Sequence, residues 1–177
     1  SEHIDVLAKC GFNRASIGVQ DVNVHVQRAI NRVQPFDDTA ACIEHLRQVG
    51  IDHINLDLIY GLPKQSLNTI EETIDQVLEL SPDRLAVYGY AHVPWLHPAQ
   101  KLLERHTLPD SSQRLDMLSA LINTLESKGY VHIGMDHFAK PEDSLSRALE
   151  DGTLQRNFQG YSTQRGVDIQ GVGPSAI

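Results

Sequence analysis

The sequence predicts an α/β fold in which parallel (β/α) units build a barrel or partial barrel; a flavodoxin-like open sheet is the structural alternative. Three observations predict it. Strand-like and helix-like stretches alternate through most of the 177 residues at the spacing of βαβ units, whose crossovers are right-handed. Polar residues recur on one face of successive strands. Glycines and prolines follow the strands' C-terminal ends, the rim where a barrel carries its site.

Taken in order, Glu2 to Lys9 reads as the last turns of a helix, with Ile4, Leu7 and Ala8 facing inward and Gly11 as the stop. Arg14 to Gln20 alternates, with Ala15, Ile17 and Val19 on one face and Arg14, Ser16, Gly18 and Gln20 on the other. A weaker helical stretch spans Asp21 to Val33. Asp37 or Asp38 can cap the next helix, whose stripe is Cys42, Ile43, Leu46 and Val49, closed by Gly50. The central strand is His53 to Tyr60. Ile54, Leu56 and Leu58 face one way and Asn55 and Asp57 the other, before Gly61-Leu62-Pro63 ends it. Two readings fit this polar alternation: a solvated edge strand, or a strand whose end opens into a ligand site, since a buried carboxylate needs partners.

Asn68 to Glu71 has capping-box spacing, and Ile70, Ile74, Val77 and Leu78 continue that helix to Ser81-Pro82. A third strand, Leu85 to His92, leads to a loop through Trp95. A long amphipathic helix runs from about Ser112 to Lys128 and stops at Gly129. In the fourth strand, Tyr130 to Met135, Val131 and Ile133 lie opposite His132 and Gly134. A short helix near Ser144 to Leu149, a polar loop from Gln155 to Arg165, and a last short strand before Gly171 complete the chain.

Fifteen Lys and Arg against 23 Asp and Glu give a net charge of −8, which disfavours non-specific nucleic-acid binding. No apolar run suits a membrane span, and no secretory signal pattern is present. The two cysteines, Cys10 and Cys42, form no C-x-x-C pair, so they read as reduced packing residues of a cytoplasmic protein. Gly171-Val172-Gly173 lacks the third glycine of a dinucleotide fingerprint. His92 and His137 sit where strands end; with Asp136 they suggest a metal site, against the commoner role of a hydrogen-bonded loop histidine. The polar and aromatic loop Arg156 to Thr163 either satisfies its own backbone or clamps a flat, anionic ligand.

The strings GFNRASIGVQD (Gly11 to Asp21), NLDLIYGLPKQ (Asn55 to Gln65), YAH (Tyr90 to His92), GMDHFAKPED (Gly134 to Asp143) and RNFQGYST (Arg156 to Thr163) together resemble the oxygen-independent coproporphyrinogen III dehydrogenases of the radical S-adenosylmethionine (SAM) superfamily. The first two are shared with the related heme chaperones; GMDHFA and RNFQGY are more specific to the dehydrogenases.

The resemblance implies a (β/α)6 partial TIM barrel, two SAM molecules and a [4Fe–4S] cluster. It implies oxidative decarboxylation of two propionates of coproporphyrinogen III to vinyl groups by a SAM-derived 5′-deoxyadenosyl radical, in anaerobic heme biosynthesis. The implied partners are the porphyrinogen, SAM and an electron donor, without nucleic acid or membrane. By motif match, Gln20, Arg32, Asp57 and Ala91 fall where the family binds the second SAM, and Ile177 where it contacts the first. His137, Arg156, Phe158 and Tyr161 are the candidate substrate contacts. Arg156 and His137 would meet propionates and the two rings a pyrrole; alternatively Arg156 pairs with Asp136 or Glu142 and pins its loop.

One departure matters. The family's C-x-x-x-C-x-x-C cluster motif does not occur in this sequence, and two cysteines cannot replace three thiolates. The expectation is therefore an internal fragment, residues 1–177 forming a single partial-barrel domain and roughly the second half of the barrel. The cluster region and the C-terminal domain would lie outside it, and alone it would be inactive. The alternatives are a piece of a heme chaperone that binds and delivers heme, or a non-catalytic scaffold.

Overall fold

The computed structural model describes residues 2–157 and 160–173. Its order is α1 (Glu2–Lys9), β1 (Arg14–Gln20), α2 (Val24–Ala29), α3 (Phe36–Gln48), β2 (His53–Tyr60), α4 (Leu67–Glu79) and β3 (Arg84–Gly89). A 3₁₀ helix (Pro98–Arg105) follows, then α5 (Ser111–Ser127), β4 (Val131–Gly134), β5 (His137–Ala139), α6 (Ser144–Glu150), β6 (Gln155–Asn157) and β7 (Gly160–Ser162). The main sheet runs β1-β2-β3-β5-β4. β1, β2 and β3 are parallel, as the βαβ spacing predicts.

The far side of the sheet corrects the expectation of an all-parallel array. β5, absent from the sequence reading, lies antiparallel between β3 and β4, pairing Leu85 with Phe138 and His132 with Phe138. Three residues directly after a turn carry too little periodicity to register as a strand.

Side-chain alternation divides the sheet into two faces. Ile54, Leu56, Leu58, Leu85, Val87 and Phe138 pack outward against Ile43 and Leu46 of α3, Ile70, Ile74 and Val77 of α4, and Met117, Leu121 and Leu125 of α5. Leu56, Leu58 and Leu85 are wholly buried, each stabilising the fold by about 1.5–3 kcal/mol. The opposite, lumen-side face carries Arg14, Ser16, Gly18, Asn55, Asp57, Arg84, Ala86, Tyr88 and His137, by the register of the pairs. On β4 the polarity inverts. Its register turns Val131 and Ile133 to the lumen, where Leu145 of α6 and Tyr161 of β7 cover them. His132 points outward and stacks on Phe138 at 4.7 Å.

Several local expectations are corrected. α3 starts at Phe36 behind Pro35, with no side-chain cap, and Asp37 and Asp38 lie in its first turn, where their charge favours the helix dipole. The capping box of α4 is Ser66 with Thr69, not Asn68 with Glu71, because Ser66 has the extended backbone a cap requires. β3 stops at Gly89, and the segment to His92 is loop. Leu7 and Cys10 are exposed rather than packed, since α1 rests only Ile4 and Ala8 on the core. The polar loop after α6 contains the β6–β7 hairpin, and residues 163–173 hold no strand. No helix among the described residues is long and apolar enough to cross a membrane.

Candidate functional site

The lumen side of the sheet opens into a cavity of about 520 Å³, lined in part by Ser16, Asn55, Asp57, Tyr88, His137 and Tyr161. At its centre Asn55 Nδ2 donates to Asp57 Oδ1 (2.7 Å) and to Ser16 Oγ (2.8 Å), and Ser16 Oγ donates to Asp57 Oδ2 (3.2 Å). Among the described residues the Asp57 carboxylate is thus held by neutral donors only, with lone pairs to spare for a ligand. Its β1 neighbour by register is Gly18.

Gly18 lies beyond the cavity on the same face of the sheet, beside Asp57. A Cβ there would lie 2.6 Å from Gln20 Nε2 and 3.5 Å from the Arg32 guanidinium. The Gln20 amide folds over this bare backbone, and Arg32 Nη2 donates to Gly18 O at 2.7 Å. Any side chain at position 18 would displace that amide. Gln20, Arg32 and Asp57 therefore converge around one glycine. Ala91 stands further along the same rim, two residues past β3, its carbonyl accepting from Gln100 Nε2 (3.0 Å).

At the opposite end Arg84 is committed. Its Nε donates to both oxygens of Asp143 at 3.0 Å, and that buried carboxylate also caps α6 through Leu145 N (2.7 Å). Arg14 reaches Ser144 Oγ at 3.4 Å; burial and the neighbouring Arg84 charge lower its pKa. Parity on strands β1 and β3 is the signal that finds these two arginines, which sequence reasoning did not select.

The substrate candidates lie on the third side. His137 projects from β5 between Tyr88 and Tyr161, edge-on to both at 6.0 and 5.3 Å. Its Nδ1 is buried with no hydrogen-bond partner among the described residues. Burial lowers its pKa from the ordinary 6.5 and outweighs the opposing pull of Asp136 and Asp57. The hairpin closes on it through two glycines: a Cβ at Gly134 would meet Tyr161 Oη at 2.5 Å, and one at Gly160 would meet His137 Nε2 at 3.2 Å. Arg156 is exposed, its guanidinium 5.9 Å from the centre of the Tyr161 ring. Among the described residues no ion pair joins it to Asp136 or Glu142. Phe158 and Ile177 lie outside the described residues.

The suggested metal trio does not assemble. His92 bonds Tyr90 Oη and Glu104, His137 sits among tyrosines, and among the described residues no group of three or more His, Cys, Asp or Glu is placed to hold a metal ion.

Comparison with known proteins shows what the chain is similar to. The model of the radical SAM superfamily matches residues 1–77. The oxygen-independent coproporphyrinogen III oxidase of Bradyrhizobium diazoefficiens is 48% identical over 177 residues, all of this chain and 39% of that protein. The Escherichia coli protein of the same name is 48% identical over 174 residues, 98% of this chain and 38% of its own length. The solved structure of coproporphyrinogen III oxidase (HemN) from Escherichia coli, described as a radical SAM enzyme, superposes with a TM-score of 0.93 at 47% identity, over 99% of this chain and 40% of that one. Residues 1–77 thus match the radical SAM superfamily, and the whole chain is similar to these coproporphyrinogen III oxidases.

The archaeal Elp3 of Methanocaldococcus infernus, at 18% identity and a TM-score of 0.57, shares the fold. The chain spans about two-fifths of the length of the curated relatives it matches. These findings lend no support to the heme-chaperone alternative.

A radical SAM protein implies SAM and a [4Fe–4S] cluster. Cys10 is exposed at the end of α1 and Cys42 is half-buried on α3, and two separate thiols, with no further grouping of ligands among the described residues, do not fit a cluster. The other end of the face carries the Asp57 carboxylate, the Gln20 amide and the Arg32 guanidinium, the kinds of group that suit a ligand with hydroxyls, an amine and a carboxylate such as SAM.

Asp21 and Gln65 belong to the same rim and were not singled out from the sequence. Both are buried, and Gln65 Nε2 donates to Asp21 Oδ2 at 2.6 Å. Two polar residues 44 positions apart give no sequence signal of meeting.

Proposed function

We propose that residues 1–177 are a partial-barrel segment of a cytoplasmic oxidoreductase that converts coproporphyrinogen III to protoporphyrinogen IX without oxygen, in anaerobic heme biosynthesis. In this reading Gln20, Arg32, Asp57 and Ala91 hold the second of two SAM molecules, and Ile177 contacts the first. The cluster is held by residues outside the chain, and an external donor supplies the electron that starts turnover. Each of two propionates loses a hydrogen atom, carbon dioxide and one further electron, leaving a vinyl group. SAM, when bound, supplies the hydrogen-abstracting chemistry.

This chain's residues bind and orient. Asp57 accepts from a hydroxyl or amine of SAM, while Gln20 and Arg32 face the same ligand across Gly18. Arg156 presents a planar fork to a propionate. His137, neutral near pH 7, donates a single N–H. Phe158 and Tyr161 cover a pyrrole ring. The single observation that carries the reading is the convergence of Gln20, Arg32 and Asp57 on one glycine, in a chain 48% identical throughout to proteins named for this activity.

Anaerobic turnover by a protein of full family length carrying this chain tests it, with SAM, a low-potential reductant and coproporphyrinogen III, and with products separated after oxidation to porphyrins. Protoporphyrin, appearing by way of a tricarboxylic intermediate, is the expected result. Unchanged coproporphyrin from protein with a full complement of cluster refutes the reading.

A further inference from the structure

The end of β1 is held by a device that the proposed binding roles do not use. The backbone N–H of Asp21 donates to Val19 O at 2.8 Å across Gln20, whose φ is +66°. A bond from i+2 to i around a residue at positive φ is the rare, strained form of γ-turn. A non-glycine residue stays there only when its surroundings over-determine it.

Asp21 supplies that determination. Its side chain is wholly buried. Oδ1 accepts from Asn23 N (2.6 Å) and Thr73 Oγ1 (3.3 Å), and Oδ2 accepts from Gln65 Nε2 (2.6 Å). Gln65 in turn donates to Ile59 O (2.8 Å) and accepts from Leu62 N (2.7 Å), fixing the loop after β2. On the other side, Asp21 O accepts from Gln27 Nε2 (2.8 Å), and Gln27 O accepts from Arg32 N (2.8 Å). The buried carboxylate therefore ties the Gln20 turn to α4 and to the loop ending the Asp57 strand, while the Asp21 backbone carbonyl, through Gln27, holds the segment that carries Arg32. Its donors among the described residues are neutral, and burial outweighs them, raising its pKa.

We infer that Asp21 is a positioning residue for the SAM end of the lumen face, its carboxylate holding Gln20 in its strained turn and its backbone carbonyl, through Gln27, holding Arg32 against Gly18, so that both side chains meet the ligand preformed. The inference rests on the reading of Gln20 and Arg32 as SAM contacts.

Equilibrium binding of SAM to the full-length, cluster-loaded protein tests it. Asp21→Asn is placed once in the native background and once where Gln20 and Arg32 are both alanine. Asparagine keeps the shape but turns an NH2 group toward Gln65 Nε2, so that bond is lost. SAM affinity should fall about tenfold in the native background and less than about twofold in the double-alanine one, with coproporphyrin affinity unchanged in both. Equal falls in the two backgrounds overturn the inference, since Asp21 would then act on the fold at large; so does unchanged affinity in the native one. If the double-alanine protein itself binds SAM like wild type, the SAM contacts fail first and the inference with them, a result separate from the other two. Should Asp21→Asn not fold, Thr73→Val removes one donor to the same carboxylate and is read in the same cycle. A fall of about threefold confined to the native background is then expected, and no fall, or equal falls, overturns the inference.

Discussion

His137 and Arg156 line one pocket beside Tyr161 with opposite electrostatic problems. Burial lowers the His137 pKa below 6.5, so the unfolded chain takes up a proton before the folded one does. Its contribution to stability is present above that ordinary value and lost as pH falls through and below it. Replacing His137 with Phe removes the loss. The stability difference between variant and wild type, read from urea midpoints, should therefore shift toward the variant between about pH 8 and about pH 5; a constant difference would show that the imidazole is not desolvated in solution. Arg156 is exposed and unpaired with Asp136 or Glu142, so its charge is open to a substrate carboxylate. Arg156→Lys should raise the porphyrinogen KM several-fold, roughly the loss of one arm of a bidentate pair, with SAM affinity and thermal stability unchanged. Normal saturation with a lowered Tm would make the residue a pin for its hairpin. The placement of Asp57 on the lumen face was legible from alternation alone. Asp21 was not, because its partners Gln65 and Thr73 come from elements that only the folded sheet brings together.

Elements with one covered face were the readable ones. β1 and β2 match the expected bounds, and α5 and α6 agree to within a residue or two, since each has a single apolar side facing a single core. β4 was misleading for the converse reason. Both its faces are covered, and the lumen side is the apolar one because α6 and the β6–β7 hairpin lie over it. Two substitutions test this local account. Ser66→Ala removes the side chain that accepts from Thr69 N (3.3 Å) and should lower stability by about 1 kcal/mol, whereas Asn68→Ala, on the cap the sequence first suggests, should be close to neutral in the same thermal melt. Gly134→Ala meets Tyr161 at 2.5 Å and sits at φ +145°. It should cost about 1–3 kcal/mol and undock the hairpin, seen as faster limited proteolysis within residues 155–162. Unaltered proteolysis would mean that Tyr161 does not pack on Gly134.

Across the whole molecule the chemistry divides by position. The outward face of the sheet is apolar and closed by α3, α4 and α5, while the lumen face over β1, β2 and β3 is polar and runs from the Arg84–Asp143 pair at one end to Gly18 at the other. The groups proposed to face SAM lie toward the C-terminal ends of β1 and β2, the rim a (β/α) barrel uses. Fold and rim were legible in the sequence because polar alternation and strand-ending glycines are local signals; the antiparallel β5 and the Asp21 tie depend on long-range pairing. The measurement that tests the account most directly is equilibrium SAM binding to the full-length, cluster-loaded protein with Asp57 replaced by Ala. Asn55 Nδ2 keeps Ser16 as a partner, so the fold should hold, while loss of a charge-assisted bond costs about 1.5–3 kcal/mol, or about ten- to a hundred-fold in SAM affinity. Wild-type SAM affinity in a folded Asp57→Ala protein, or a protein that unfolds with SAM handling unaltered in what remains folded, would contradict the account.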